Sequence, residues 1–313
     1  MKKEGFYFTV FTPTHNRAHL IGGLYKSLQR QTYKNFKWLV VDDGSSDNTR
    51  EVIEGFQKDG ILQVEYHFIE NGFLHKAEKL SSRIVDTPYI IRIDDDDEFS
   101  DDALEIFKNE WEIIEQNKIE NIGEIRALAI SDKGVISGNY QPELGQESLD
   151  TTYLEMQLNK KMQLENISCY RSSIWKNLFP DDDEKKWLYD KVNHISDEIF
   201  WNRLSRIALS RYIFSGLRIY HDTPSSLTKV NVKLTKQNLY NEVFSRYVYL
   251  NEMRDYYFQY PWNFIKRVSG YSIYGMALNL SITKLIHAVE SPLCKAFVLL
   301  TAPFCWLISF KYK

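Results

Sequence analysis

Residues 89–116, YIIRIDDDDEFSDDALEIFKNEWEIIEQ, combine three features that decide the fold. An apolar run at 89–93 predicts a short buried strand. Four consecutive aspartates follow at 94–97, and an amphipathic helix comes next. One face of that helix carries its large apolar residues, namely Leu104, Phe107, Trp111 and Ile114. The aspartates therefore stand where a buried strand ends and a helix approaches.

The order of strand, polar cluster and helix occurs twice earlier in the chain. Strands are predicted at 6–14 (FYFTVFTPT) and 36–41 (FKWLVV), and another at 62–69 (LQVEYHFI). The first two run into the polar clusters TPTHNR (12–17) and DDGSSDNT (42–49), each followed by a helical period. Such alternation predicts an α/β fold with a mostly parallel, doubly wound sheet flanked by helices. Ligands bind outside the carboxyl ends of such strands, so the three clusters predict one shared site.

The composition indicates a folded chain whose two ends carry opposite charge. The 313 residues are 43% hydrophobic and 14% aromatic, which is enough material for a core. The formal net charge of −3 conceals an asymmetry, because residues 201–313 contain 15 Lys/Arg and 5 Asp/Glu, whereas residues 1–200 contain 24 and 37. The acids could hold a metal ion, and the bases could face an anionic phospholipid surface. Ordinary solvated charge is the alternative for both.

The aspartate run has the chemistry of a divalent cation site. Neighbouring side chains leaving a strand alternate in direction, so Asp94 and Asp96 are predicted to face one side and Asp95 and Asp97 the other. Mg²⁺ and Mn²⁺ use one or two protein carboxylates and take further oxygens from water and phosphate. The alternative is an acidic helix start that complements the helix dipole, which accounts for Asp101 and Asp102 but not for Asp94, because Asp94 directly follows the apolar strand.

Two other interpretations of the acidic clusters are rejected. The run from Asp43 has the spacing of an EF-hand, but Asn48 stands where that loop needs glycine, and a strand precedes it instead of a helix. Residues 94–98 resemble an aspartyl phosphatase motif, but Glu98 replaces the required hydroxyl or valine. A carboxylate at the tip of the second strand could instead accept the imide N–H of uracil or a ribose hydroxyl. Turn chemistry is the alternative there.

The three clusters together resemble family 2 glycosyltransferases. The likeness lies in the order and spacing of TVFTPTHNR, LVVDDGSSDNT, NGFLHKA and YIIRIDDDDEF. It covers residues 6–110 and extends more loosely to about 230, through HISDEIFWNRL and LRIYHDTPSSLTK. The resemblance implies the nucleotide-sugar-binding GT-A fold. It implies a catalytic domain at 1–225, with a nucleotide-binding half (1–110) and an acceptor half (111–225), before a helical extension at 226–313.

The resemblance also implies roles for individual residues. The nucleotide sugar would be bound by residues of the clusters and of the following helix: Thr12, Pro13, Arg17, Asp43, Lys76, Asp94 and Asp95. Asp96 would be the main ligand of Mn²⁺ or Mg²⁺. The catalytic base would be Asp197, with Glu198 as the neighbouring candidate, and an N-cap role is the alternative for Asp197. The sequence departs from the family pattern at Phe73 and Lys79, where glycine and asparagine are common.

The implied reaction is inverting transfer of a sugar from a nucleotide sugar, expected to be a UDP-sugar, to a glycan or polyprenol-linked acceptor. This would serve cell-surface polysaccharide synthesis, with no nucleic-acid partner. Two alternatives stay open, namely a catalytically silent nucleotide-sugar-binding scaffold and a sugar nucleotidyltransferase on a related fold. The nucleotidyltransferase predicts an early glycine-rich phosphate loop, which TPTHNR does not supply.

The C-terminal segment and the cysteines bear on location. Residues 296–310, AFVLLTAPFCWLISF, are uncharged, but they are shorter than the roughly 20 residues of a spanning helix, and Pro303 is expected to interrupt them. We expect residues 260–313 to contact the membrane peripherally, with a core helix pair as the alternative. The three cysteines have no metal-like spacing, and we identify no signal peptide at the N-terminus. Both observations predict a cytoplasmic protein, which we expect at the inner face of the cell membrane.

Overall fold

The structure is a computed structural model that describes residues 5–70, 73–139, 145–159, 164–221 and 235–312. The chain forms two compact units. The first comprises Met1–Phe179 and Leu204–Ser226, and the second comprises Pro180–Arg203 and Leu227–Lys313. The division reflects which residues contact one another, and it assigns no function to either unit. The predicted boundary between a catalytic domain and an extension at 225/226 therefore stays a prediction.

The first unit is an α/β sheet with flanking helices. Its strands are β1 Phe8–Thr14, β2 Phe36–Asp42, β3 Val64–Phe68, β4 Tyr89–Arg92, β5 Asp97–Phe99, β6 Ile122–Ser131, β7 Ser148–Thr151, β8 Asn166–Arg171 and β9 Leu209–Tyr220. Its helices are α1 Ile21–Arg30, α2 Thr49–Asp59, α3 Leu74–Ile84, α4 Ala103–Gln116, α5 Tyr153–Leu158 and α6 Ser172–Asn177. Helix α7, Asp197–Ile207, begins in the second unit and ends in the first. The four strands predicted before residue 100 are all present.

The sheet is mixed, with the order β3-β2-β1-β4-β8-β6-β9-β5 and β7 paired to β9. Its first half, β3-β2-β1-β4, is parallel as predicted. In the second half β8 runs antiparallel to β4 and β6, and β5 and β7 run antiparallel to β9. The parallel half therefore ends at β4, and the aspartate run leaves the sheet at that point.

Packing of large side chains holds the strands that lead to the aspartates. The predicted apolar face of α4 is fully buried, as is Trp38 of β2. The Trp38 indole donates a hydrogen bond to the Thr12 hydroxyl (3.0 Å), and Tyr25 stacks on Phe56 with 3.9 Å between ring centroids. Side chains in such a core have little freedom to shift. The carboxyl ends of β1 and β2 are therefore held at fixed positions.

The second unit is helical. In addition to the start of α7, it contains α8 Lys236–Glu252, α9 Pro261–Ala277, α10 Ile282–Ala288 and α11 Pro292–Ser309. A nearly buried ion network ties its segments together. The Arg203 guanidinium donates to both carboxylate oxygens of Asp183 (2.7 and 2.8 Å) and to those of Glu252 (both 2.9 Å). Arg203 thus links α7 to α8 and to the short segment before α7.

We expect Arg203→Ala to destabilise the second unit by about 3 kcal/mol, the lower end for a broken buried ion pair, because Lys186 alone then faces both carboxylates. Burial alone would raise the pKa of Asp183, but Arg203 and Lys186 outweigh burial and lower it. A lowered folded-state pKa adds stability above the ordinary aspartate pKa of about 3.9, and this is lost as pH falls. Denaturant unfolding at pH 7 and pH 3.5 should therefore give a smaller pH effect in the variant.

The exposed pair of Lys191 and Asp190 is the control, since solvent screens an exposed ion pair and leaves it little effect on stability. Lys191→Ala should leave the unfolding midpoint nearly unchanged. Equal loss of stability in the two variants would contradict the role assigned to the buried network.

Helix α11 corrects one sequence prediction. It runs without interruption through Pro303, which lies on its exposed side. The prediction of a break at Pro303 is therefore wrong, because the helix accommodates one lost backbone hydrogen bond at an exposed position. By length and composition alone, residues Pro292–Tyr312 are long and apolar enough to cross a membrane. Such a helix can equally belong to a soluble protein.

Candidate active site

The loops after β1 and β2 are joined by hydrogen bonds. The His15 ring donates through Nδ1 to the backbone carbonyl of Asp43 (2.7 Å). The Asn16 backbone N–H donates to Ser45 Oγ (2.8 Å), and the Asn16 side-chain oxygen accepts from the Ser46 N–H (2.7 Å). Asn16 has φ of 54°, a left-handed conformation that asparagine tolerates. The clusters TPTHNR and DDGSSDNT thus form one connected surface.

Asp42 and Asp43 occupy different environments at the end of β2. Asp42 is fully buried, and its carboxylate accepts from the Ser45 N–H and from the Tyr66 hydroxyl (both 2.8 Å). This is turn chemistry, the alternative considered for this loop. Asp43 is half-buried, so part of its surface faces solvent at the edge of the sheet. Asp42 therefore shapes the turn that carries Asp43.

The aspartate run alternates in burial, as the sequence predicted. Asp95 and Asp97 are 6% and 3% exposed. The side chains of Asp94 and Asp96 are 39% and 45% exposed. The chain reaches this arrangement by turning at residues 95–96 before it enters β5. Two carboxylates therefore point toward solvent and two toward the protein.

The aspartate run is also joined to the loop after β1. The Thr14 hydroxyl donates to Asp95 (2.6 Å). The Arg17 guanidinium donates to Asp96 (2.9 Å) and lies 3.8 Å from the Asp95 carboxylate. All three polar clusters thus meet at the carboxyl ends of β1, β2 and β4.

Two further arginines approach the aspartates. Arg92, at the end of β4, lies 3.2 Å from the Asp94 carboxylate and donates to Glu78 of α3 (2.9 Å). Arg218 of β9 donates to Asp97 (2.7 Å). Each of these arginines offsets part of the repulsion among the four carboxylates.

The environments separate the pKa values of the aspartates. Burial raises the pKa of Asp95 to about 6, although Thr14 and Arg17 oppose the shift. Burial likewise raises the pKa of Asp97 to about 7, although the nearby Arg218 guanidinium opposes the shift. For Asp94, burial is outweighed by Arg92, Arg218 and Arg17, which lower its pKa. Asp94 is therefore charged at neutral pH.

The two candidates for the catalytic base differ in their partners. Helix α7 begins at Asp197, and the Ser196 hydroxyl accepts from the Glu198 N–H (3.4 Å), so Ser196 supplies the N-cap contact considered for Asp197. Glu198 is paired with Arg267, whose guanidinium lies over the Tyr249 ring at 5.2 Å. Within the described part of the chain, the buried Oδ1 of Asp197 has no hydrogen-bond partner. The Asp197 carboxylate thus keeps an acceptor oxygen available, whereas the Glu198 carboxylate is engaged in an ion pair with Arg267.

Residues 9–116, which contain all three clusters, match the sequence model described as Glycosyl transferase family 2. This part of the chain is similar to glycosyl transferase family 2. The matched range runs from β1 to the end of α4, so it covers the parallel half of the sheet and the aspartate run. The residues after 116 lie outside this match.

Two curated proteins illustrate what this chain is similar to. The chain is 34% identical over 101 residues to a GalNAc(5)-diNAcBac-PP-undecaprenol beta-1,3-glucosyltransferase of Campylobacter jejuni, covering 31% of each protein. It is 24% identical over 218 residues to the poly(ribitol-phosphate) beta-N-acetylglucosaminyltransferase TarS of Staphylococcus aureus, covering 67% of this chain and 36% of TarS. The chain thus spans about a third of the length of these relatives.

A solved structure extends the likeness over almost the whole chain. TarS residues 1–349 of Staphylococcus aureus, crystallised with UDP-GlcNAc, superpose with a TM-score of 0.61 at 15% identity. The superposition covers 98% of this chain and 90% of that one. At this identity the likeness shows the fold alone. The chain therefore has the predicted GT-A fold, with a helical C-terminal region.

The predicted donor-binding residues differ in accessibility. Thr12 is buried and its hydroxyl contacts Trp38, so only its backbone can border a base. Pro13 is buried within β1, whereas Lys76 is exposed in the first turn of α3. Two predicted motif segments, the start of NGFLHKA at 71–72 and residues 222–229 of LRIYHDTPSSLTK, lie outside the described residues.

The carboxylates of the aspartate run suit a hard divalent cation whose remaining ligands come from the substrate. Among the residues that the structure describes, no three His, Cys, Asp or Glu side chains form a metal-binding group. Asp94 and Asp96 nevertheless present two partly exposed carboxylates, as many as Mg²⁺ or Mn²⁺ takes from protein when phosphates supply further oxygens. A cation at Asp96 would have to displace Arg17.

Sequence reasoning missed the residues that position the aspartates. Arg92 carried a readable signal, because it is a charge inside the apolar strand YIIRI. Arg218 lay within the quoted segment LRIYHDTPSSLTK, but 121 residues separate it from Asp97, so nothing in the sequence indicated their contact. Thr14 lay within a quoted motif, but its contact with Asp95 depends on how β1 and β4 pair.

Proposed function

We propose that this chain is a metal-dependent inverting glycosyltransferase that moves a sugar from a UDP-sugar to a hydroxyl of a glycan or polyprenol-linked acceptor. It would act in cell-surface polysaccharide synthesis. One observation carries the proposal, namely the joining of three polar clusters at the carboxyl ends of β1, β2 and β4 within the range that matches the family. That edge of a parallel sheet is where nucleotides bind in α/β folds.

The nucleotide half of the donor would lie against the two joined loops. Asp43 would accept the uracil imide or a ribose hydroxyl, and the backbone at Thr12 and Pro13 would border the base. Arg17, Lys76, Asp94 and Asp95 would face the ribose and phosphates. The UDP-GlcNAc with which TarS was crystallised supports a uridine donor. The undecaprenol-linked substrate in the name of the Campylobacter relative supports a lipid-linked acceptor.

The cation, Mn²⁺ or Mg²⁺, would be held by Asp96 with Asp94 beside it. When bound, such a cation neutralises the charge that develops on the leaving diphosphate. Arg92 and Glu78 would keep Asp94 oriented, since a guanidinium fixed by a buried carboxylate has few alternative positions. Thr14 would hold the turn that presents Asp96.

Asp197 would be the general base that takes the proton from the acceptor hydroxyl as that hydroxyl attacks the anomeric carbon. Its Oδ1 has no hydrogen-bond partner in the described chain, so it can accept a proton without breaking an existing contact. Glu198 would be a positioning residue that ties the start of α7 to α9 through Arg267. The reaction would take place on the cytoplasmic side of the membrane, with peripheral contact through residues 260–313.

We expect a UDP-sugar with Mn²⁺ to raise the melting temperature of the protein, because a ligand that binds only the folded state stabilises it. At one hundred times its dissociation constant a ligand adds about 2.7 kcal/mol. A thermal-shift screen of UDP-, GDP- and dTDP-sugars, each with Mn²⁺, Mg²⁺ or chelator, measures this directly. UDP-sugars should respond most strongly, and chelator should reduce the response. No response to any nucleotide sugar would refute the proposed function.

A further inference from the structure

One face of α11 is apolar and exposed, although its other face is packed. The packed face consists of Cys294, Val298, Ala302, Cys305 and Ser309. The exposed face, called here the outer face of α11, consists of Leu299, Leu300, Phe304, Trp306 and Leu307, and the exposed Phe310 directly follows the helix. With 3.6 residues per turn, these two sets lie on opposite sides of the helix. Leu300 and Phe304 are 79% and 70% exposed.

The packed face of α11 lies along α9 in the second unit. Phe264 of α9 contacts Phe297 edge to face at 5.2 Å, and the Cys305 thiol lies 4.0 Å from the Ser269 carbonyl. Near the ends of the two helices, Tyr274 contacts Tyr312 at 5.2 Å. The two helices thus run side by side in the same direction, and α11 is held along its length.

The outer face lacks the charges that a water-facing helix surface carries. Residues 296–310 contain no charged side chain, whereas a surface helix of a soluble domain is charged or polar opposite its buried stripe. Large exposed aromatic residues, Phe258 and Trp262, also stand at and before the start of α9. An exposed apolar helix face of this kind marks a site that another apolar surface covers.

The charged residues around the outer face indicate what kind of surface covers it. Residues 258–312 contain five Lys/Arg, with Lys295 and Lys311 bracketing the apolar stretch, and one acidic residue, Glu290. Basic residues beside an apolar helix face attract anionic phospholipids. A second copy of the same segment would bring like charges together, which opposes dimerisation through this face.

We propose that the outer face of α11 docks in the plane of an anionic phospholipid membrane. The helix lies parallel to the surface, with Leu300 and Phe304 inserted about 5–10 Å into the boundary between headgroups and acyl chains. It does not cross the bilayer, because its other face is packed on α9, whereas a spanning helix would have to leave that packing. The inference builds on the peripheral membrane contact proposed above for residues 260–313. It does not depend on the transfer reaction, so a failure of vesicle binding would leave the proposed sugar transfer in place, and a failure of transfer would leave membrane docking in place.

The test is flotation of the full chain with vesicles of phosphatidylglycerol or of phosphatidylcholine. We expect binding to phosphatidylglycerol vesicles, at least tenfold weaker binding to phosphatidylcholine, and a blue shift of Trp fluorescence that Trp306→Phe reduces. The double variant Leu300→Glu/Phe304→Glu should lose at least tenfold in vesicle affinity. Ile61→Glu is the matched control, because Ile61 is an apolar residue of the first unit that is 63% exposed. It should bind vesicles as the unmodified protein does.

Circular dichroism and the melting temperature should be the same for all these proteins, since each substitution is at an exposed position. Absence of binding to either vesicle, or equal binding by the double variant, would overturn the proposal. So would a stable dimer that Leu300→Glu/Phe304→Glu disperses, which would assign the face to a second copy. Carbonate-resistant insertion in cell membranes would instead assign α11 as a spanning helix.

Discussion

Asp96→Ala is expected to reduce sugar transfer by about a thousandfold or more while leaving the fold intact. A bound cation supplies several kcal/mol of stabilisation to developing charge, and each 1.36 kcal/mol is about tenfold in rate. The fold should survive because the Asp96 side chain is 45% exposed and its partner Arg17 is also partly exposed. Such surface pairs are worth at most about 1 kcal/mol. Initial rates with a UDP-sugar, together with the melting temperature, measure both expectations.

Asp101→Ala is the matched control for this prediction. Asp101 belongs to the same acidic stretch, is exposed, and is paired with Arg30 at 3.0 Å. It lies just before α4 and has no role in the proposed site. Its substitution should leave both transfer and Mn²⁺ affinity unchanged, whereas Asp96→Ala should lose both. Full transfer by Asp96→Ala, or equal loss in the two variants, would contradict the assignment of the metal ligand.

Asp197→Asn is expected to lower kcat by about 10²–10⁴-fold, the usual contribution of a general base. Asparagine has nearly the same shape as aspartate but cannot accept the acceptor's proton. Donor affinity, measured by calorimetry with the UDP-sugar and Mn²⁺, should be unchanged, because the residue acts on the acceptor. A catalytically silent scaffold would instead retain all biological activity after this substitution.

Glu198→Gln separates the two candidates for the base. Since Glu198 is paired with Arg267, the expected effect of this substitution is a lower melting temperature and a smaller loss of kcat. If Glu198→Gln abolished transfer in protein that was still folded, while Asp197→Asn retained it, Glu198 would be the base. Single-turnover rates at matched folded fractions make the comparison direct.

The parallel half of the fold could be read from the sequence because its signals are local. Each strand from β1 to β4 is short and rich in β-branched or aromatic residues, and a helical period follows each of the first three within a few residues. Polar residues stand directly at the strand ends, so the position of the candidate site followed from strand order. The mixed half was less readable, since β5 is three residues long and pairs with β9, more than 100 residues later.

What the sequence determined by itself was the order of elements, the place of the polar clusters and the alternation along residues 94–97. Tertiary structure alone decided which charges oppose those aspartates, since Arg218 reaches Asp97 only through the pairing of β5 with β9. It also decided that Glu198 is paired and that α11 exposes an apolar face. Periodicity and turn chemistry depend on residues close in the chain, whereas ion pairs and buried faces depend on distant segments that meet only after folding.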